Sequence, residues 1–200
     1  QHMQNCWYGD NRDLVKWSIL MHLADMNSAS CILQIAYFQE CSFPKVELDS
    51  EERAIPEEVL RHFRDVGNIK GLSSSIRVEV FDKVITDRER YLLEAKEFIS
   101  RHAAGCRCVV LLDPDTGLES TQPSLKHVLR KEANDFWKSL KVGDTLAIYQ
   151  HQTNRNGKPW QEPKRMEFEK AIGVPEGSVK VGRGPKLARD VVLFYAIKTQ

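Results

Sequence analysis

No stretch of this 200-residue sequence is long and apolar enough to span a membrane, no two cysteines have metal-binding spacing, and the net charge is only +1. Each absence closes off a class of function. A spanning helix needs about 18 or more apolar residues, whereas the apolar runs here have strand length and no basic-then-apolar leader opens the chain. The expectation is a soluble, cytoplasmic protein. The five cysteines (Cys6, Cys31, Cys41, Cys106 and Cys108) are odd in number, sit among apolar residues and form no Cys-x-x-Cys pair. That usage predicts reduced thiols rather than a disulfide framework or a zinc site.

The small net charge conceals an asymmetry. Residues 1–120 carry 14 Lys and Arg against 20 Asp and Glu, while residues 121–200 carry 15 against 8. An acidic half suits a metal or polar site, and a basic half suits an anionic partner. The length suits one domain over residues 1–200 with a sizeable core, and leaves the oligomeric state open.

Strand and helix patterns alternate along the chain. Residues 12–27 read as a helix apolar on most sides, followed by a β-prone run from Cys31 to Phe38 that Phe43-Pro44 ends. Pro56-Glu57-Glu58 sets negative charge at the start of a second helix, which Gly67 closes. Ile76, Val78 and Val80 alternate with polar residues in a strand, and Thr86-Asp87-Arg88-Glu89 has capping-box spacing ahead of a helix from 87 to 103. A strand over 106–113, a helix over 124–140, a strand over 145–149 and a short helix over 165–172 follow. Residues 178–181 then pair with 191–197 as a terminal hairpin. This order predicts an α/β three-layer sandwich, mostly parallel, with an antiparallel hairpin at the C-terminus.

Strand 106–113 runs into Asp113-Pro114-Asp115-Thr116-Gly117-Leu118-Glu119, a turn carrying three carboxylates. Open α/β sheets place their ligands at the carboxyl ends of their strands. Asp113, Asp115 and Glu119 therefore suit either a Mg²⁺ or Mn²⁺ ion, which prefers oxygen ligands, or an amine donating to a carboxylate. The same residues also suit plain turn capping. His151 ends the next strand, where a catalytic base or ligand would stand near Asp113. Asp13 and Lys16 lie one helical turn apart behind Gly9 and Asp10, and Asp10 and Asp13 serve equally well as caps and dipole partners. Arg183, Lys186 and Arg189 flank Gly182 and Gly184, a pattern that fits a phosphate cradle or a simple hairpin turn. At Asp113 an Asn nearly preserves the turn, so the substitution is expected to leave folding within about 1 kcal/mol.

Gly9, Asp13 and Lys16 form a Gly-x-x-x-Asp-x-x-Lys helix start, and Asp113-Pro114 is half of an Asp-Pro-Pro-Tyr motif. With the element order, these residues resemble the Rossmann-like S-adenosylmethionine-dependent methyltransferases, in particular the ribosomal RNA adenine-N6 type. The resemblance implies S-adenosylmethionine as cofactor, bound near Gly9, Asp13, Asp113 and Pro114, and nucleic acid as substrate. It also implies Asp113 orienting the target amine and Lys16 or Asp13 near the cofactor. The family's glycine loop after the first strand is absent from Ile35 to Ser42, and Thr116 replaces its stacking aromatic residue. Three readings follow. The first, favoured by element order, is a divergent methyltransferase-like enzyme acting on nucleic acid. The second is a metal-dependent nuclease or phosphohydrolase using Asp113, Asp115 and Glu119, with His151 as base and the C-terminal cations on phosphates. The third is a catalytically inactive nucleic-acid-binding module.

Overall fold

The computed structural model describes residues 9–39, 45–64, 66–154 and 156–200. Cys6, Cys41 and the Phe43-Pro44 stop lie outside these, as does part of the glycine-free stretch after the first strand. The chain opens with helix α1 (Asn11–Met26), capped by Asp10, whose carboxylate accepts from the backbone N–H groups of Arg12 at 2.8 Å and Asp13 at 3.1 Å. Strand β1 (Cys31–Ile35) follows, then a small exposed hairpin of β2 (Val46–Leu48) and β3 (Glu51–Arg53), helix α2 (Glu57–Arg64) and a 3₁₀ turn (Val66–Gly71). After β4 (Arg77–Phe81) and α3 (Arg88–His102) come β5 (Cys108–Leu112), the short strands β6 (Gly117–Leu118) and β7 (His127–Val128), and α4 (Arg130–Ser139). The chain ends with β8 (Thr145–His151), α5 (Gln161–Ile172), β9 (Lys180–Gly184) and β10 (Ala188–Ile197).

Six strands form one sheet in the order β4-β1-β5-β8-β10-β9. The first four run parallel, and β10 is antiparallel to both β8 and β9. The expected architecture is present: a mostly parallel α/β sandwich with a C-terminal antiparallel hairpin. Strands β5 and β8 are neighbours, with Leu112 opposite Ile148, as the sequence pattern required.

Period-two alternation divides the core. Cys31, Leu33, Ile35, Val110 and Leu112 face α3, α4 and α5, in a cluster that includes Tyr91, Phe136 and Phe168. Ile32, Val109, Leu111, Ala147 and Tyr149 face α1, whose Val15, Trp17, Leu20, Leu23 and Ala24 cover them. The inner strands are buried on both faces, which is why they read as unbroken apolar runs.

One expected element is shorter than its pattern. The helix placed over 124–140 starts only at Arg130, because 124–129 is a turn and the two-residue strand β7, paired with β6. Its apolar Leu125 is exposed and Val128 fully buried, so the apparent helical stripe was two unrelated features. Among the described residues no helix is long and apolar enough to cross a membrane.

Candidate functional site

In this sheet, β1 and β5 mark the point where connections part. The segment after β1 reaches the α1 side, where Ile69 of the 3₁₀ turn packs, whereas the segment after β5 leads to α4 on the other face. Such a switch point opens a crevice at the carboxyl ends of the two strands. Asp113 stands there as the first residue beyond β5, its N–H donating to the Ile35 carbonyl at 2.9 Å.

Alternation decides what meets Asp113. Gln34 of β1, Asp113 and Tyr149 of β8 share the α1 side of their strands, and Lys16 comes down on them from α1. Its Nζ lies 2.9 Å from Asp113 Oδ2, 2.8 Å from Asp13 Oδ1 and 4.9 Å from the centre of the Tyr149 ring. Gln34 Nε2 donates to the same Asp113 oxygen at 2.5 Å, and the Gly9 N–H donates to Asp13 Oδ2 at 2.6 Å. Lys16 and Asp113 are 1% and 0% exposed. Burial alone would lower the ammonium's pKa, but Asp113 and then Asp13 outweigh it and hold Lys16 protonated well above its ordinary range. Burial raises the Asp113 carboxyl, against the pull of Lys16. A lysine fixed in this form is a permanent charge, not a nucleophile or base. Two acceptors in the cluster, Asp113 Oδ1 and Gln34 Oε1, have no donor among the described residues.

The structure thus brings Gly9, Asp13, Lys16 and Asp113 together, and adds Gln34 and Tyr149, which the sequence analysis missed. Gln34 left one visible signal, a lone polar residue inside a buried apolar strand. His151 sits at the outer end of β8, edge-on to Tyr149 with ring centroids 5.0 Å apart. Burial lowers its pKa to about 4, with Asp190 opposing and Arg12 adding to the fall, so its imidazole is neutral at pH 7. Above it Arg12 forks onto Asp190, with Nη2 to Oδ2 at 2.6 Å, and reaches Asp10 at 3.2 Å. A groove of about 450 Å³ runs beside α1, lined by Gly9, Asp10, Asp13, Trp17, Met21 and Ile69.

The metal reading loses its ligands. Asp113 already holds an ammonium, and Glu119 caps α4, its Oε1 accepting from the Arg130 N–H at 3.0 Å and from the Arg130 guanidinium at 3.1 Å. Asp115 and Pro114 are buried in the turn. Among the described residues no group of three His, Cys, Asp or Glu has metal-binding geometry. The turn is instead set by Gln150, which accepts from the Leu118 N–H at 2.9 Å and donates to the Thr116 and His151 carbonyls at 3.2 and 2.8 Å. Gly117, at φ +132°, leaves room for that amide, and a Cβ there would overlap it.

The phosphate cradle around residues 182–184 also has another explanation. A Cβ on Gly182 or Gly184 would press within 2.7 Å of Ile19 or Val15, so these glycines let β9 lie close against α1. Arg183, Lys186 and Arg189 remain exposed at this hairpin.

Of the segment after β1 residues 36–39 are described, and Tyr37 among them does not fit S-adenosylmethionine laid against it. Tyr37, with φ +49° and 1% exposed, is buried in the core cluster on the α3 and α4 side of the sheet. Its N–H donates to Tyr91 Oη at 2.8 Å and its hydroxyl to Glu132 Oε2 at 3.0 Å, and Arg88 holds the other Glu132 oxygen at 2.6 Å. Where the resemblance requires glycine and open backbone, this chain places a locked aromatic side chain.

No protein-family model matches the sequence, and no curated protein matches it. Among solved structures the chain shows distant likenesses. A candidate methyltransferase from Thermobifida fusca YX is 12% identical with a TM-score of 0.43, the match covering 95% of this chain and 81% of that one. A DUF574 family protein from Streptomyces avermitilis MA-4680 is 11% identical with a TM-score of 0.43, covering 94% and 82%. PigF with SAH is 10% identical with a TM-score of 0.39, covering 94% and 64%. None of the three is described as a ribosomal RNA adenine-N6 methyltransferase. These are likenesses of fold, and the chemistry rests on the chain's own residues.

Proposed function

We propose that this chain binds nucleic acid on a methyltransferase-like scaffold whose cofactor crevice is closed, and serves as a recognition module. The observation that carries this reading is Tyr37, fully buried at the switch point and bonded at both ends to Tyr91 and Glu132. Support for an anionic partner comes from the C-terminal hairpin. Arg183, Lys186 and Arg189 are exposed there and unpaired among the described residues, whereas Arg12, Arg88, Arg130 and Arg165 are all held in ion pairs. Exposed cations that hold no ion pair meet a phosphate backbone without first breaking bonds of their own.

Fluorescence anisotropy with labelled single-stranded and duplex DNA and RNA, at roughly 50 to 200 mM salt, tests this. Each phosphate neutralised contributes about 0.7 to 0.9 to the slope of log K against log salt. Replacing Arg183, Lys186 and Arg189 together by Ala should flatten that slope by about 2 to 3 and weaken binding to every sequence alike. No binding at low salt, or an unchanged slope in the triple variant, overturns the proposal.

A second reading, a methyltransferase-like enzyme acting on nucleic acid, is favoured by Asp113 Oδ1 and Gln34 Oε1, two buried acceptors at the switch point that await a donor such as an amine. It requires S-adenosylmethionine to enter where Tyr37 now lies. Thermal unfolding decides between them, because a ligand at about a hundred times its Kd stabilises by about 2.7 kcal/mol. A rise of several degrees with S-adenosylmethionine selects the enzyme, and an unchanged Tm supports the closed crevice.

A further inference from the structure

The amino edge of the sheet, opposite the site above, gathers three thiols. Cys31 opens β1, Cys108 opens β5 and is its register partner, and Cys106 lies two residues earlier. Cys31 Sγ and Cys106 Sγ are 3.3 Å apart. Cys31 is fully buried, while Cys106 is partly exposed. Their surroundings hold both in place. The Ser30 N–H donates to the Arg107 carbonyl at 3.1 Å, which fixes the start of β1 against the segment before β5. The Arg77 guanidinium donates to the His102 carbonyl at 2.5 Å and reaches Cys106 Sγ at 3.9 Å. The Cys106 thiol donates to the same carbonyl at 3.5 Å.

We propose that Cys31 and Cys106 are an oxidation site that closes to a reversible disulfide under peroxide. The sulfurs need to approach by only about 1 Å to reach bonding distance. Peroxide reaches the partly exposed Cys106 and oxidises its thiol to a sulfenic acid, releasing water. The Cys31 thiolate then attacks the Cys106 sulfur, forming the S–S bond and expelling hydroxide, which takes up a proton as a second water. In sum two thiols and one peroxide give one disulfide and two waters. The hydrogen bond from Cys108 and the charge of Arg77 lower the Cys31 thiol against the effect of burial, which favours its thiolate for the second step.

The test is peroxide treatment of the folded chain, alkylation, and peptide mapping by mass spectrometry. Trypsin cuts after Arg101, Arg107, Lys16 and Lys45, so Cys106 and Cys108 fall on different peptides, and fragmentation separates Cys31 from Cys41 on theirs. The expected result is a mass lower by about 2 Da, a link between residues 102–107 and Cys31, reversal by dithiothreitol, and loss of the link in Cys106→Ser. A link through Cys6, Cys41 or Cys108, Cys106 carried to sulfinic acid while Cys31 still alkylates, or both thiols alkylated after treatment overturns it.

Discussion

Replacing Asp113 by Asn removes one partner from an ion pair that no water reaches. Lys16 and Asp113 are 1% and 0% exposed and 2.9 Å apart, and breaking such a pair typically costs about 3 to 5 kcal/mol, because the remaining charge stays buried without its counter-ion. Asp13, 2.8 Å from the ammonium, remains in the variant and places the expected loss at the lower end, about 3 kcal/mol. For a chain of this size that is a fall in Tm of about 6 to 12 °C. The sequence-based expectation of about 1 kcal/mol is thereby revised, since it counted only the turn geometry that Asn preserves. Lys16→Met should cost at least as much, leaving Asp113 without a cation. The double variant Lys16→Met/Asp113→Asn should be more stable than the sum of the two losses predicts, by about 2 kcal/mol, since it strands neither the ammonium nor Asp113, while Asp13 loses its cation equally in both Lys16 variants. Urea unfolding followed by circular dichroism measures all four corners of this cycle. Additive losses, or an Asp113→Asn variant within about 0.5 kcal/mol of the parent, would refute the pairing as the reason for this cluster.

Three further outcomes are expected. Between about pH 6.5 and 4 the native state should bind fewer protons than the unfolded chain at His151, whose pKa burial lowers to about 4. Its contribution is therefore complete above the ordinary histidine value and lost as pH falls toward 4. His151→Phe should flatten the stability profile in that window, and an unchanged slope would refute this. Gly117→Ala should destabilise by at least about 2 kcal/mol, because φ +132° and the Gln150 amide both oppose a Cβ; a shift below 0.5 kcal/mol in urea unfolding contradicts that. Tyr37→Phe should cost about 1 to 2 kcal/mol by removing a donor from the buried Glu132 carboxylate, measured the same way, and no loss would show that bond to be unimportant in closing the crevice.

The sequence by itself determined the alternation of elements, the parallel sheet and the placing of Asp113 at a strand's carboxyl end. These rest on local pattern: Val109 to Leu112, short, aliphatic and followed by Pro114, reads as an inner strand that ends there. It also put Asp13 and Lys16 on one helical face. Tertiary structure decided what those residues do. Lys16 reaches Asp113 because α1 lies on the side of the sheet to which Gln34, Asp113 and Tyr149 all point, and facing depends on strand register that no single segment encodes. The same packing turned Gly182 and Gly184 from a phosphate loop into a contact with α1, and gave Glu119 to the α4 cap instead of to a metal. Tyr37 shows the limit most clearly. A glycine's absence after β1 was legible at once, but that the aromatic residue there is buried and bonded at both ends depends on Tyr91 of α3 and Glu132 of α4, 54 and 95 residues further along the chain.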